Sequence, residues 1–398
     1  MRNSRVLVVG AGIAGPTLAY WLAQHGFTPT VVERADAVRA GGQAIDVHGQ
    51  ALEVLARMGL LEQARADSTD IRGMSFVDAR GRTLARTTAF SLTGGDMNSP
   101  DIELMRSDLL DALLECGRDH CEYIFGDAVT DLAETDTGVT VTFARSAPRE
   151  FDLVIGADGV HSAIRRCVFE PDTYRIHRLG RYIAIYTVPN FLKLDRWQIF
   201  HAAGPERRLC YFAGHRATRV MFTRHDAELD IDRYDNAGLR DLLRTQFDGD
   251  GWETTRLLDE MATTPDFYFD DLRQVLMDSW SRGRVALVGD AAHCASPASG
   301  LGTTLALVGA YILAGELKGA QGDYPQAFAR YEKRMRPFVS ACQARARAGG
   351  NLYVGRFAFW LQMQQIRLSN FPVLRRLMTR KAAGGKQDIA NSIQVPHY

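Results

Sequence analysis

The chain has 398 residues, of which 46% are hydrophobic and 24% are charged, a composition typical of a globular enzyme and not of a disordered or fibrous chain. Lysine plus arginine and aspartate plus glutamate number 47 each, so the formal net charge is zero. A zero net charge provides no general attraction to nucleic acid or to an anionic membrane, and we expect neither as a partner.

The cysteines and the apolar segments bear on the cellular location of the protein. The six cysteines include no C-x-x-C pair and no metal-site spacing, which is typical of reduced thiols in a cytoplasmic protein. The apolar run after Arg5 ends at Gly10 and is too short for a secretion signal. Residues 291–315 carry no charge apart from a possible one on His293, but their most apolar part, 305–314, is too short to span a membrane. We expect a buried helix there.

The first forty residues read as strand, glycine turn, helix and strand. Residues 6–9 form a continuous apolar run, as expected for a parallel strand covered on both faces. Gly10 to Gly15 follow, and then a predicted helix runs to about Gln24 and stops at Gly26. A second strand is predicted at 30–33, ending on Glu33.

Short antiparallel strands are predicted in the middle of the chain. The first occupies 71–77, and the later ones are predicted at 182–188, 197–200, 208–212 and 219–223. Between these two blocks we predict a helix at 102–117, a hairpin at 129–143 and a strand at 151–155. A last strand at 284–288 precedes the long buried helix.

The C-terminal part is predicted to be helical. Apolar residues from Tyr324 to Cys342 recur at intervals of three and four, which marks one face of a helix. A second, aromatic-rich helix is predicted at 352–366, linked to the first through Gly349 and Gly350. This helix has more aromatic side chains than a solvated terminal helix should have, so we expect it to dock on the rest of the molecule.

This order of elements predicts an α/β fold in which a Rossmann-like dinucleotide-binding domain is interrupted by an antiparallel β-sheet domain and then resumed. We expect the dinucleotide-binding domain at 1–70, 101–175 and 266–340. The substrate-binding domain is expected at 71–100 and 176–265, followed by a C-terminal helical segment at 341–398.

The first motif is a glycine fingerprint between a strand and a helix. Gly10 permits the tight turn, Gly12 lets a pyrophosphate approach the backbone, and Gly15 lets helix and strand pack closely. Ile13 and Ala14 open the helix, whose N-terminus attracts phosphate. Glu33, 18 residues beyond Gly15, is placed to bind the adenosine ribose. The fingerprint does not distinguish FAD from NAD.

Two further motifs favour FAD. Residues 152–165 are a strand that runs into a turn containing Asp158, and residues 283–290 are a strand that ends in Gly-Asp. Asp290 can accept a hydrogen bond from a ribityl hydroxyl. Beyond Pro297, glycines 300 and 302 lead into a helix, whose start at 302–304 can face the flavin edge where negative charge develops on reduction.

The three motifs, in this order and spacing, resemble those of single-component FAD-dependent aromatic hydroxylases of the para-hydroxybenzoate hydroxylase fold. The resemblance covers the whole chain and is closer still to the soil-type tetracycline-inactivating flavin monooxygenases, the tetracycline destructases. It rests on residues 41–49, 266–270 and 306–317, together with the closing residues 391–398.

The resemblance implies a set of cofactor-binding residues. The FAD contacts that it implies are Glu33, Arg34, Asp46, Arg106 and Asp290. Together with the motif residues, the expected cofactor-binding set also includes Asp158, Gly300, Gly302, Thr303 and Thr304. Arg39 matches an arginine implicated in NADPH contact, although the loop length differs. Thr304 stands where relatives commonly carry Asn, which places a side-chain contact with the flavin in doubt.

The resemblance also implies an activity. NADPH or NADH reduces FAD, and a flavin C4a-hydroperoxide transfers one oxygen atom from O2 to a fused-ring substrate, so no side-chain nucleophile is expected. Three alternatives stay open: a tetracycline-oxidising resistance enzyme, a biosynthetic hydroxylase of another polycyclic or phenolic compound, and a flavin-binding protein without turnover. We expect a monomer. The helix at 352–366 is expected to border the substrate opening as a gate, with a permanently packed helix as the alternative.

Other interpretations concern individual side chains. Asp290, His293 and Cys294 offer too few ligands for a metal, so we expect none. His161 and Ser162 near Asp158 lack the nucleophile elbow of a hydrolase. The side chains taken as substrate-binding residues are Tyr182, Tyr186, Phe222 and Pro297. The first three lie on predicted strands, and alternation along a strand could equally bury them in the core.

Overall fold

The fold is described from a computed structural model, which covers residues 3–37, 43–91, 95–96, 99–204, 206–214, 217–225, 235–348, 355–368 and 385–398. Three predicted features, namely Arg39, the glycines at 41 and 42, and the glycine link at 349 and 350, lie outside the described residues.

Within these residues runs of strands are separated by single helices or helix pairs, and the last elements are all helical. The strands, in chain order, are β1 (Arg5–Val9), β2 (Thr28–Glu33), β3 (Ala44–Val47), β4 (Met74–Val77), β5 (Thr83–Thr87), β6 (Phe90–Ser91), β7 (Gly95–Asp96), β8 (Ile102–Met105), β9 (Glu122–Phe125), β10 (Val129–Glu134), β11 (Val139–Phe143), β12 (Arg149–Phe151), β13 (Leu153–Gly156), β14 (Tyr174–Thr187), β15 (Trp197–Ala203), β16 (Arg207–Ala213), β17 (Thr218–His225), β18 (Tyr268–Met277), β19 (Ser281–Arg282) and β20 (Val285–Leu287). The helices, in the same order, are α1 (Ala14–Gln24), α2 (Gln50–Arg57), α3 (Leu61–Ala66), α4 (Arg106–Gly117), α5 (Ala163–Val168), α6 (Asn236–Phe247), α7 (Thr254–Met261), α8 (Asp290–His293), α9 (Gly302–Gly319), α10 (Tyr324–Ala348) and α11 (Arg356–Leu368).

The first sheet has the order β19-β20-β13-β1-β2-β9 and is parallel apart from β19. The apolar side chains of β1 and β13 are buried, as a strand covered on both faces requires. Gly10 follows β1, Asp158 lies just beyond β13, and Asp290 lies just beyond β20. Because the strands are parallel, these three motifs meet at the same edge of the sheet, where ligands bind in open α/β sheets.

The second sheet has the order β18-β14-β17-β16-β15-β4-β5 and is antiparallel apart from the pair β15–β4. One of its faces packs on α6 and α7 through a core cluster that contains Tyr186, Phe222 and Phe247. The predicted antiparallel block is therefore present. Its edge strand β18 comes from residues that the predicted boundaries assign to the dinucleotide-binding domain, and the domain boundaries stay a prediction.

The long helix α9 fills the centre of the molecule. It packs on α1, α2 and α10, and 13 of its 18 residues are buried, which explains its apolar character on all sides. Among the described residues, no helix has the length and apolarity needed to cross a membrane. The predicted helix at 102–117 is correct only from Arg106, because 102–105 forms a strand that pairs with β3.

The C-terminal residues 385–398 return to the core. The Tyr398 hydroxyl donates to Glu316 Oε1 at 2.8 Å, and its ring lies against Gly315, where a Cβ atom would be 2.0 Å from the ring. Arg57 Nη1 donates to the carbonyl oxygen of Pro396 at 2.6 Å. The chain end is thus tied to α2 and α9, far away in sequence.

Candidate functional site

The glycine loop after β1 is shaped by close backbone contacts. Gly10 has φ +108°, and a Cβ atom there would lie 2.6 Å from the Ala157 carbonyl oxygen. A Cβ atom at Gly15 would lie 1.9 Å from the Gly10 carbonyl oxygen. At Gly12 the nearest atom to such a Cβ is Arg106 Nη2 at 3.7 Å, which is ordinary contact. Close packing therefore requires glycine at positions 10 and 15. At Gly12 the backbone has no close neighbour and is accessible from the side of the loop.

Glu33, at the end of β2, is bound to the same loop. Its Oε2 accepts from the Ala11 amide at 2.9 Å, and its Oε1 accepts from the Ala35 amide at 3.0 Å. The carboxylate thus fixes the loop and stands beside it, where sequence analysis placed a ribose-binding acid. Arg34 follows and is exposed.

A cavity of about 1120 Å³ opens beside the glycine loop. Its first part, called the cofactor half below, is lined by Gly12, Ile13, Ala14, Asp46, Arg106, Asp290, Pro297, Gly300, Gly302 and Thr303. Its second part, the substrate half, is lined by residues of the seven-stranded sheet and of α10 and α11. The volume exceeds the range of ordinary small-molecule pockets, so there is room for two ligands.

Asp290 and Arg106 provide opposite charges in the cofactor half. Asp290 is the first residue of α8, and its side chain is exposed to the cavity although protein surrounds it closely. This enclosure raises the pKa of the carboxyl group. The side-chain hydrogen bond with Cys294 and the positive charge of Arg106 act in the opposite direction but are outweighed. A carboxylate in such a place is an effective acceptor for a ligand hydroxyl.

The N-terminus of α9 forms the floor of the cofactor half. Gly300 has φ +64° and lets the chain turn into the helix that begins at Gly302. Gly302 and Thr303 line the cavity, so the positive end of the helix dipole faces it. The Thr304 side chain is buried elsewhere: its Oγ1 accepts from the His48 amide at 3.3 Å and donates to the His48 carbonyl at 3.4 Å. Thr304 therefore ties α9 to His48, the residue that follows β3, and its side chain is not among those that line the cavity.

Sequence analysis missed a charged cluster around Asp46. Lys386 Nζ is 2.9 Å from Asp46 Oδ2, and both residues line the cavity. The His48 imidazole, which is 1% exposed, lies between Asp46, 3.5 Å from Nε2, and Asp101, 2.9 Å from Nδ1. Burial lowers the pKa of His48, but the two carboxylates outweigh it and the pKa is raised. Lys386 and Asp46 are 340 residues apart, and no local pattern pairs them.

Asp158 and its neighbours have structural partners. Asp158 Oδ2 accepts from the Ala163 and Ile164 amides at 2.6 and 3.2 Å, which caps α5. Ser162 Oγ accepts from the Arg165 amide at 2.9 Å, so this serine is a helix cap and not a hydrolase nucleophile. Arg165 donates to the Ala291 carbonyl at 2.7 Å, and the second motif thereby braces the third.

Three of the four residues taken as substrate-binding lie on the wrong face of the sheet. Tyr182, Tyr186 and Phe222 are fully buried against α6 and α7, and Tyr186 Oη donates to the Leu257 carbonyl at 2.7 Å. Successive side chains of a strand point to opposite faces, so the neighbours Ile183 and Ile185 face the cavity instead. Pro297, the fourth, does line the cavity.

His293 is one of the three side chains, with Asp290 and Cys294, that were weighed as metal ligands. Its Nε2 lies 3.1 Å from Tyr331 Oη, and complete burial lowers the pKa of the imidazole to about 3, so it is neutral. Within the described ranges, no three His, Cys, Asp or Glu side chains come together as a metal site would require. His293 is a core residue.

The cofactor half fits FAD. Gly12 leaves backbone accessible to a pyrophosphate, and a helix N-terminus faces the same cavity. In the described part of the chain, two buried carboxylate oxygens, Asp46 Oδ1 and Asp158 Oδ1, accept no hydrogen bond. Asp46 lines the cavity, so a ligand that brings hydroxyl or N–H donors there would satisfy its oxygen.

Comparison with known proteins gives the family. Residues 3–346 match the family described as FAD binding domain. An uncharacterized protein of Mycobacterium tuberculosis is 51% identical over 339 residues, which are 85% of this chain and 91% of that one. A flavin-dependent monooxygenase from an unknown prokaryotic organism is 36% identical over 403 residues, covering 100% and 99% of the two chains.

A solved structure agrees over the whole length. The crystal structure of tetracycline destructase Tet(55) is 35% identical, covers 100% of both chains and superposes with a TM-score of 0.87. These matches, together with the cavity and its flavin-type motifs, confirm the predicted α/β flavoprotein fold. They also confirm FAD as the cofactor. The chain belongs to the FAD binding domain family, and it is a flavin-dependent monooxygenase.

Proposed function

We propose that this monooxygenase takes electrons from NADPH or NADH and inserts one oxygen atom from O2 into a fused-ring phenolic substrate of the tetracycline type. The observation that carries the proposal is the continuity of the cavity, because its cofactor half opens directly into an apolar sheet face formed by Ile183, Ile185 and Met221. The likeness to a tetracycline destructase over the whole chain supports the substrate class.

FAD, when bound, supplies the redox chemistry and the activation of oxygen, and the protein has to bind it, orient it and exclude water. We assign the pyrophosphate to the backbone at Gly12 and the adenosine ribose to Glu33. Asp290 accepts a hydrogen bond from a ribityl hydroxyl, with Arg106 opposite. The N-terminus of α9 stabilises negative charge on the flavin edge.

The described residues contain one glycine loop of the dinucleotide type, at 10–15, and we assign this loop to FAD. NADPH therefore binds transiently, without a Rossmann unit of its own. Arg39 stays a proposed NADPH contact. We also keep a monomeric state and a cytoplasmic location as proposals, the latter supported by the six cysteines, all of which are free thiols.

The test is NADPH consumption by the FAD-loaded protein with a panel of tetracyclines and a matched panel of anthraquinones. We expect tetracyclines to stimulate consumption and to be recovered with one added oxygen atom. A control variant, Arg175→Met, changes an exposed residue of β14 outside the cavity and should behave as the parent.

Two results would redirect the proposal. Stimulation by anthraquinones alone would favour a biosynthetic hydroxylase with the same flavin chemistry. Consumption that no ring compound stimulates would favour a flavin-binding protein without oxygenase turnover.

A further inference from the structure

The side of α10 that lines the cavity carries one charged side chain. Its lining residues are Ala341, Ala344, Arg345 and Ala348, which recur at intervals of three and four and therefore lie on one face of the helix. The three alanine side chains end at Cβ, so this face is a low apolar surface roughly 10 Å long. Arg345 is the residue of this face that can bind a ligand through charge.

The Arg345 guanidinium is anchored at one nitrogen. Its Nε donates to the Ser299 carbonyl oxygen at 3.2 Å, and within the described part of the chain Nη1 and Nη2 donate to no protein acceptor. Ser299 is fully buried, and its Oγ donates to the Ser296 carbonyl at 2.8 Å. The turn that holds the guanidinium is thus itself fixed. The two terminal nitrogens carry four N–H donors in a fork that matches an anionic oxygen.

No carboxylate neutralises the Arg345 charge among the residues that the structure describes. Arg345 forms no ion pair there. The two acidic side chains that line the cavity have other cations beside them. Lys386 Nζ lies 2.9 Å from Asp46 Oδ2, and the Arg106 charge acts on Asp290.

The surroundings of Arg345 also lack a charged neighbour on its own helix. Burial lowers the pKa of Arg345, and the Cys342 side chain acts against this change. Burial raises the pKa of the Cys342 thiol to about 12, so the thiol is uncharged at neutral pH. A half-buried guanidinium without a carboxylate partner favours a ligand that brings a negative charge.

Arg347 shows what an ordinary cation of the same helix turn does. Both arginines lie in the last turn of α10, where the helix dipole favours positive charge. Arg347 is exposed, is not among the residues that line the cavity, and donates from Nη1 to Gln274 Oε1 at 2.9 Å. The dipole therefore explains a cation at either position, but it does not explain why the Arg345 guanidinium faces the cavity.

Arg345 lies where the two halves of the cavity meet. Its helix belongs to the substrate half, whereas the Ser299 carbonyl that it contacts directly precedes Gly300 of the cofactor half. A ligand oxygen bound by Arg345 therefore lies beside the cofactor. The rest of a flat ring system can lie along the alanines of α10, in the cavity that Ile183 and Ile185 also line.

We propose that Arg345 binds an ionised phenol or enol oxygen of the substrate and thereby determines which ring of the substrate lies beside the cofactor. Arg345 is a positioning and specificity residue in this account, and it transfers no proton. The inference rests on the proposed function and adds the charge and the orientation of the substrate. A ring system without an ionisable oxygen leaves the guanidinium facing an apolar surface and binds more weakly.

The test uses 2-hydroxyanthraquinone, a flat fused-ring phenol whose absorption spectrum changes when its hydroxyl group ionises. It is bound to the FAD-loaded protein at a series of pH values, and the spectrum of the ligand-free protein is subtracted. We expect the bound phenol to ionise at least one pH unit below the free phenol, which corresponds to at least tenfold tighter binding of the anion. The methyl ether 2-methoxyanthraquinone cannot ionise and should bind equally to the parent and to Arg345→Met.

Variants separate the charge from structural support. Arg345→Met should abolish the shift in ionisation, and Arg345→Lys should retain most of it because a cation remains. Arg347→Met removes a cation from the same helix turn and should keep the shift of the parent. FAD content and melting temperature are measured for each variant, since Arg345 also contacts the turn at Ser299. If Arg345→Met loses FAD, Arg345→Gln replaces it, because glutamine keeps an N–H donor without the charge.

Three results would overturn the inference: a bound phenol that ionises at the same pH as the free one, a shift that survives Arg345→Met, or no binding of either ring compound. A shift that Arg347→Met also abolishes would count against it equally, because the shift would then report the helix end and not the side chain in the cavity. The proposed function fails differently, namely if tetracyclines do not stimulate NADPH consumption by the parent protein, so the two failures are distinguishable.

Discussion

Two glycines of the same loop should respond to alanine in different ways. Gly15→Ala places a methyl group 1.9 Å from the Gly10 carbonyl oxygen, a backbone atom that cannot move without shifting β1 against α1. Gly12→Ala places it 3.7 Å from Arg106 Nη2, the end of a flexible side chain. Both residues belong to the fingerprint, but only the second presents open backbone to the cavity.

The expected magnitudes follow from these contacts. Gly15→Ala should lower the free energy of unfolding of the apoprotein by about 3 kcal/mol, the upper part of the range for overpacking, because neither partner can relax. Gly12→Ala should change it by less than about 1 kcal/mol. In the FAD-loaded protein, Gly12→Ala should weaken FAD binding at least tenfold, since the methyl group occupies the space through which the pyrophosphate reaches the backbone.

The assay is urea unfolding of the apoproteins together with FAD titration followed by flavin fluorescence. The reasoning is wrong if Gly12→Ala destabilises the apoprotein as much as Gly15→Ala does. It is equally wrong if Gly12→Ala binds FAD as tightly as the parent, because the loop would then serve packing alone.

Further predictions concern four other places. Asp290→Ala should weaken FAD retention by about 1–3 kcal/mol in a dialysis assay, and unchanged retention would remove Asp290 from the ribityl assignment. Glu33→Ala should weaken FAD more than NADPH when both are titrated, and a selective loss of NADPH would mean that the loop binds the other dinucleotide. His48→Asn should lower the melting temperature more at about pH 5 than at about pH 9. Because the pKa of His48 is raised in the folded protein, its charge stabilises the fold fully below pH 6.5, the ordinary pKa of histidine. This stabilisation is lost as the pH rises through the raised pKa. Equal decreases in melting temperature at both pH values would refute the ion-pair account. Met363→Ser with Ile366→Ser should undock α11, because both of these side chains are buried against the sheet. If α11 is a gate, the variant should stay loaded with FAD and oxidise NADPH faster without forming product, whereas loss of FAD would make α11 structural.

The parts of the site that are local in sequence could be predicted from it. Gly10, Gly12 and Gly15 follow one another within a strand–turn–helix unit, and Asp290 ends a strand, so backbone chemistry alone indicates their roles. All lie at one edge of the parallel sheet. The change in hydrophobic pattern along the chain also predicted that a parallel sheet is interrupted by an antiparallel one.

Two features could not be predicted in this way: which face of a strand lines the cavity, and which residues far apart in sequence contact each other. On β14 the apolar residues are continuous from Tyr182 to Tyr186, so no polar alternation shows which parity faces the cavity. Which side chains face the cavity depends on the helices that cover the other face of the sheet. These helices are α6 and α7, and they bury Tyr182 and Tyr186. Lys386 reaches Asp46 only through the return of the chain end to α9, which no sequence period encodes.

The most direct test of the account is the fate of oxygen. The FAD-loaded protein is given NADPH and a tetracycline under ¹⁸O2, and the product is analysed by mass spectrometry. The account predicts one ¹⁸O atom in the ring system and none when the label is supplied as water. Product without ¹⁸O from O2, or NADPH consumption that yields only hydrogen peroxide with every ring compound offered, would contradict it.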